Sequence, residues 1–272
     1  MRILIIGCGS IGSVLAKAVH DMPEVDRLYV TDKSRDFARP LVKDLGKAEY
    51  ISSQNDRLCK IFNEIDLAVE AASQEAARNY IPLVLENGVD VMVMSVGVFA
   101  DDEFRERCFT LAKKHRSHIY VPSGAICGTD GLHAASSANI SEVHLTTRKG
   151  PKGLQGAPGL QMRNIDVTSL KEPTVVFEGN ARDAANQFPK NLNVAATISL
   201  LGVGFDKTKV TIICDPRTER NSHTLTVKGD FGELSSETHN VPSPMNPATS
   251  YLAALSAVAA IRRILGNVWI GV

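Results

Sequence analysis

"RILIIGCGSIGSVLAKAVHDM" (Arg2–Met22) decides the fold of this chain. Ile3 to Ile6 form an unbroken apolar run of strand length, the pattern of a strand covered on both faces. Glycines at 7, 9 and 12 break the run, and Val14, Leu15 and Val19 then recur at helical spacing. Strand, tight turn and helix follow in that order. "RLYVTD" (Arg27–Asp32) supplies a second strand, and the right-handed crossover rule makes the two strands parallel.

Each glycine has a physical task in such a unit. Gly7 permits the tight turn, Gly9 lets backbone approach a pyrophosphate, and Gly12 lets helix and strand pack closely. Ser10 and Ile11 open the helix, so its first amides and its dipole face the phosphates. Asp32 lies 20 residues after Gly12, at the strand end from which a carboxylate accepts the adenosine ribose hydroxyls. A nicotinamide dinucleotide is the expected ligand. Asp32 repels a 2′-phosphate, which favours NAD, whereas Lys33, Ser34 and Arg35 leave room for some NADP use.

The alternation continues through "EIDLAVEAAS", "EAARNYIPLVLENG", "DVMVMSVG", "DDEFRERCFTLAKKH" and "HIYVPSG". The fold class is α/β: a doubly wound parallel Rossmann sheet over residues 1–121. Loops at the carboxyl ends of its strands face the ligand crevice, which places Ala72 and Ser95 near the dinucleotide. Ser73 and Ser95 read equally well as helix caps. After residue 121 the rhythm changes to short strands of period two, "EVHLTTRKG", "TVVFEG", "KVTIICDP" and "SHTLTVKGDFGELSSETHNV", around one helix, "NLNVAATISLLGVG". Residues 122–245 are therefore expected to form an α+β domain. In 246–272, Asn246 as cap, Pro247 at the first helical position and a Leu252, Leu255, Val258, Ile261, Leu265 stripe predict a helix returning to the first domain.

Composition narrows the partners. Thirty Lys plus Arg balance thirty Asp plus Glu, which removes the footprint of a nucleic-acid or anionic-membrane binder and favours a small molecule. No run approaches the length of a membrane span, and the start lacks a signal peptide's flank and cleavage site, so a cytoplasmic protein is expected. Cys8, Cys59, Cys108, Cys127 and Cys214 are scattered singly, as in a reduced compartment, and no histidine has a partner at metal-ligand spacing, so no metal site is expected.

"VPSGAICGTDGL", "FPKNLNVAATISLLG", "DPRTERNSHTL" and "NPATSYLAALSA", taken with "GCGSIG", resemble the L-aspartate dehydrogenases over nearly the whole chain. The resemblance implies reversible oxidative deamination of L-aspartate to iminoaspartate, then oxaloacetate and ammonia, in the branch that feeds NAD biosynthesis. It implies that His223 is the catalytic histidine, that Asn193 lies beside the nicotinamide and that Ala125 contacts the cofactor. Histidine chemistry agrees, because an unperturbed imidazole with a pKa of about 6.5 both takes and gives protons near neutrality.

A dicarboxylate substrate moved out of water needs cations, and Lys190 and Arg148 are the first candidates, with Lys149 and Arg220 beside them. Two other readings compete. Cys127, near a helix start, suits the thiolate of a semialdehyde-type dehydrogenase. A dinucleotide-binding sensor without catalysis needs only the first domain. A second-domain sheet with one face free of helices would favour a homodimer.

Overall fold

The computed structural model describes residues 1–52, 56–189, 192–244 and 246–271 of the 272. The chain divides into two compact units.

The first unit contains β1 (Arg2–Ile6), α1 (Ser10–His20), β2 (Arg27–Thr31), α2 (Arg35–Asp44), β3 (Ala48–Tyr50), α3 (Asp56–Ile61), β4 (Leu67–Glu70), α4 (Gln74–Glu86), β5 (Asp90–Val93), α5 (Asp102–His115) and β6 (Ile119–Tyr120). Its sheet has the order β3-β2-β1-β4-β5-β6, with every pairing parallel. Such strands are covered on both faces and read as apolar runs, which is why Ile3, Leu4, Ile5 and Ile6 are all buried. Strand order reverses at β1 and β4, so the crevice opens past their carboxyl ends.

The second unit spans Ser123–Ala253 and takes in the chain again from Trp269. It contains α6 (Thr129–Ala135), β7 (Ile140–Lys149), α7 (Pro151–Leu154), α8 (Pro158–Met162), β8 (Thr174–Asn180), α9 (Ala181–Gln187), α10 (Asn193–Leu201), β9 (Lys209–Cys214), β10 (Asn221–Gly229), β11 (Gly232–Asn240), β12 (Pro242–Ser243) and β13 (Asn246–Ser250). The mixed sheet runs β11-β10-β7-β9-β8, antiparallel except for β7 with β9. One face carries Val143, Leu145, Val210, Ile212, Leu225 and Val227, all buried, and Gly202 at the end of α10 sits against Val143 and against Leu132 of α6. The opposite face carries His144, Thr146, Thr211, Thr224 and Thr226, all half-buried.

The final helix, α11, spans Tyr251–Leu265 and belongs from Ala254 onward to the first unit, where Ala257, Val258 and Ile261 join Ile3, Leu15 and Leu28 in one core. Its start corrects the expectation that Asn246 caps it and Pro247 opens it. Asn246–Ser250 is a strand paired with Pro242–Ser243, and the Tyr251 amide donates to the Val241 carbonyl. That ladder holds the segment extended, so helix begins only beyond Ser250.

Candidate functional site

The glycine turn builds the first part of the site. Gly7 has φ +101°, and a Cβ there would stand 2.7 Å from the Ala72 Cβ. A Cβ at Gly12 would overlap the Gly7 carbonyl oxygen. Around Gly9, by contrast, a Cβ would meet open space, the room a phosphate needs at the start of α1. A groove of about 310 Å³ adjoins, lined among others by Gly7, Gly9, Asp32, Lys33, Phe37 and Ala72. Both Asp32 oxygens accept backbone amides, Oδ2 from Cys8 at 2.7 Å and Oδ1 from Ser34 at 2.9 Å. The side chain is thereby held in the groove. Lys33 pairs with Glu75 at 3.0 Å, and the Arg35 guanidinium lies 5.4 Å from the centre of the Tyr50 ring. Glycine turn, helix start and fixed carboxylate together fit a dinucleotide.

Glu70, the last residue of β4, was not singled out from the sequence. It is fully buried, and its carboxylate accepts from the Ala72 and Ser73 amides at 2.9 and 3.1 Å and from the Ser95 amide and hydroxyl, both at 2.9 Å. Burial pushes its pKa up, against those donors, which favour the ionised form. Glu70 thus ties the loop after β4 to the end of β5. Its signal was the acid closing the apolar "DLAVE". Of the two helix-cap readings, Ser73 does cap α4 by accepting from Ala76 at 3.2 Å, whereas the Ser95 hydroxyl donates to Glu70 and caps no helix.

In the second unit, β10 pairs with β7 so that His223 stands opposite Thr147. Period-two alternation then puts Thr147, Lys149, Asn221 and His223 on the helix-covered face and Arg148 on the other. His223 is 3% exposed and Lys149 8%. The Thr147 hydroxyl lies 3.0 Å from His223 Nδ1 and engages that ring nitrogen. Sequence reasoning missed Thr147, because only strand register reveals it. The expectation of an ordinary imidazole is also corrected: burial, reinforced by the Lys149 charge, pushes the His223 pKa from 6.5 to about 3.

Arg148 is not directed at His223; it pairs with Asp215 at 3.0 Å. Lys190 lies outside the described residues. Asn193 is exposed in the first turn of α10, and its carbonyl accepts from the Thr197 hydroxyl at 3.1 Å. Ala125 is buried, and its carbonyl accepts from Asn240 Nδ2 at 2.9 Å. Cys127 is exposed, with Sγ 3.2 Å from the Thr238 hydroxyl and 3.5 Å from the Glu237 carbonyl. A hydroxyl and a carbonyl supply neither the base nor the cation that activates a thiolate, so the thiol reading gains nothing.

These features define a class: an oxidoreductase with an NAD-binding Rossmann unit and a mixed-sheet unit carrying a buried histidine. Residues 7–122 match the profile described as "Homoserine dehydrogenase, NAD binding domain", and residues 130–264 match "Aspartate dehydrogenase, C-terminal". The chain is 47% identical to the L-aspartate dehydrogenase of Methanosarcina mazei, covering 100% of this chain and 99% of that one. With the L-aspartate dehydrogenase of Nitrosopumilus maritimus it shares 37% identity, covering 96% of each. The crystal structure of aspartate dehydrogenase from Thermotoga maritima superposes with a TM-score of 0.77 at 31% identity, covering 100% of this chain and 99% of that chain. The chain belongs to the L-aspartate dehydrogenase family.

The low His223 pKa has a consequence for stability. Between pH 6.5 and about 3 the unfolded chain binds a proton at this position that the folded chain does not. The stabilisation is therefore complete above pH 6.5 and is lost as pH falls towards 3. Urea unfolding at pH 7 and pH 4 should show a smaller loss of stability in His223→Gln than in the parent chain.

Proposed function

We propose that this chain oxidises L-aspartate with NAD, reversibly, through iminoaspartate to oxaloacetate and ammonia. The observation that carries the reading is His223: a buried, neutral imidazole held through Nδ1 by Thr147 in a chain of this family. Bound NAD supplies the acceptor for the hydride that leaves the substrate Cα. For the base role the Nδ1 proton is donated to the Thr147 hydroxyl, leaving the Nε2 lone pair for the substrate. His223 takes a proton from the substrate ammonium, because only the free amine can push the Cα hydrogen out as hydride. The imine then gains water and loses ammonia, and the protonated ring returns its proton to the departing nitrogen. Gly7, Gly9, Ser10, Ile11, Gly12, Asp32, Ala72 and Ser95 would hold the dinucleotide, with Asn193 and Ala125 at its nicotinamide end. The imine supplies pyridine nucleotide synthesis.

Two finer statements belong to the same reading. NAD is preferred over NADP, because Asp32 is held by two amides where a 2′-phosphate would lie. Residual NADP use falls to Lys33, whose exposed pair with Glu75 is worth at most about 1 kcal/mol and is easily given up. The protein works as a cytoplasmic homodimer, with the polar face of His144, Thr146, Thr224 and Thr226 meeting its counterpart. No helix among the described residues is long and apolar enough to cross a membrane.

His223→Ala should lower kcat by roughly two to four decades with NAD affinity nearly unchanged, as read by absorbance of the reduced nicotinamide and by calorimetry. Near-normal turnover would remove the proton-transfer role. In the same assay kcat/KM for NAD should exceed that for NADP, and Lys33→Ala should lower only the NADP value. Sedimentation equilibrium should give a dimer for the parent chain and a smaller association constant for Thr226→Glu.

A further inference from the structure

The strand positions facing His223 hold one other charged side chain. On this face β7 presents Val143, Leu145, Thr147 and Lys149, β9 presents Val210, Ile212 and Cys214, and β10 presents Asn221, His223, Leu225 and Val227. Every residue in that set except Lys149 is apolar, neutral or the histidine itself. Arg148, one position earlier, faces away and pairs with Asp215, and Arg220 is exposed in the turn before β10.

We infer that Lys149 receives a carboxylate of the substrate beside His223 and so selects dicarboxylates, an inference that rests on the reading of the chain as an aspartate dehydrogenase. Register is the first support, since Thr147 stands opposite His223, Lys149 is the next position along β7 on the same face, and both side chains are buried. The second support is the way the lysine stem is placed. Gly153, in the one-turn helix α7 that follows β7, leaves its α-carbon face to the Lys149 methylenes: a Cβ there would stand 3.5 Å from Lys149 Cδ and 3.6 Å from Lys149 Cβ. The same Cβ would lie 3.9 Å from Asn221 Oδ1, so Gly153 packs near both the lysine stem and the β10 strand that carries His223.

Energetics point the same way. Burial pushes the Lys149 pKa down to about 8, which weakens its hold on the proton, and an adjacent carboxylate strengthens it. The Lys149 charge also helps hold His223 unprotonated. A substrate carboxylate bound to the amine offsets that field, so binding prepares the ring to accept the proton that the reaction releases.

Succinate, a dicarboxylate without an amine to oxidise, probes this site without turnover. Its affinity for the full chain with NAD present is measured by calorimetry in the parent, Lys149→Met and Lys149→Gln. Replacing a buried charge by an apolar residue of similar length seldom unfolds a protein, and the glutamine variant provides a second, polar replacement. Thermal unfolding and NAD affinity check both variants. The expected result is roughly 10- to 100-fold weaker succinate binding in both, the range for losing a hydrogen bond to a charged group, with a matching rise in KM for L-aspartate. Succinate binding within threefold of the parent in either folded variant overturns the assignment, as does a parent chain that binds no succinate. A parent chain that binds succinate through Lys149 yet fails to oxidise L-aspartate would instead overturn the functional reading and leave the carboxylate site standing.

Discussion

The first unit depends on how closely α1 approaches β1. Gly12 sits against the Gly7 carbonyl with no space for a side chain, and that contact sets where the helix starts and where its free amides point. Everything at the carboxyl ends of the strands inherits this geometry. Asp32 fastens the turn by accepting the Cys8 amide, and Glu70 fastens the neighbouring loops by accepting from Ala72, Ser73 and Ser95. Two carboxylates at the ends of the strands that flank β1 thus do with side chains what the sheet does with backbone. They satisfy amides that the crevice would otherwise leave open.

Local signals carried much of the fold. The glycine spacing, the apolar run before it and the acid after the second strand are short-range features, each tied to one element, and they locate the nucleotide groove before any packing is known. The family resemblance located His223. What stayed illegible needed long-range pairing. Thr147 meets His223 only because β7 and β10 share a register, and that register also decides which of two consecutive cations, Arg148 or Lys149, faces the histidine. Glu70 looked like the end of a strand, since nothing local shows that four donors converge on it. The misjudged start of α11 has the same origin: capping signals at Asn246 and Pro247 were overridden by a ladder to Pro242 and Ser243.

The histidine site shows how burial alters what a side chain does. An exposed imidazole would spend half its time protonated near pH 6.5, whereas this one stays neutral under ordinary conditions. Burial and the lysine charge act in the same direction on it. Burial weakens the hold of both the lysine and the imidazole on a proton, and the carboxylate proposed above would strengthen both.

The double use of Asp32 constrains how this enzyme could change. One carboxylate pins the amide of Cys8 and, in the binding mode proposed above, would also meet the ribose, so an exchange at position 32 that invites a 2′-phosphate also unfastens the glycine turn. A lineage or an engineer altering cofactor choice would meet a valley if it began there. The passable route starts at the neighbouring exposed pair, Lys33 and Glu75, where charge can be rearranged without touching the scaffold.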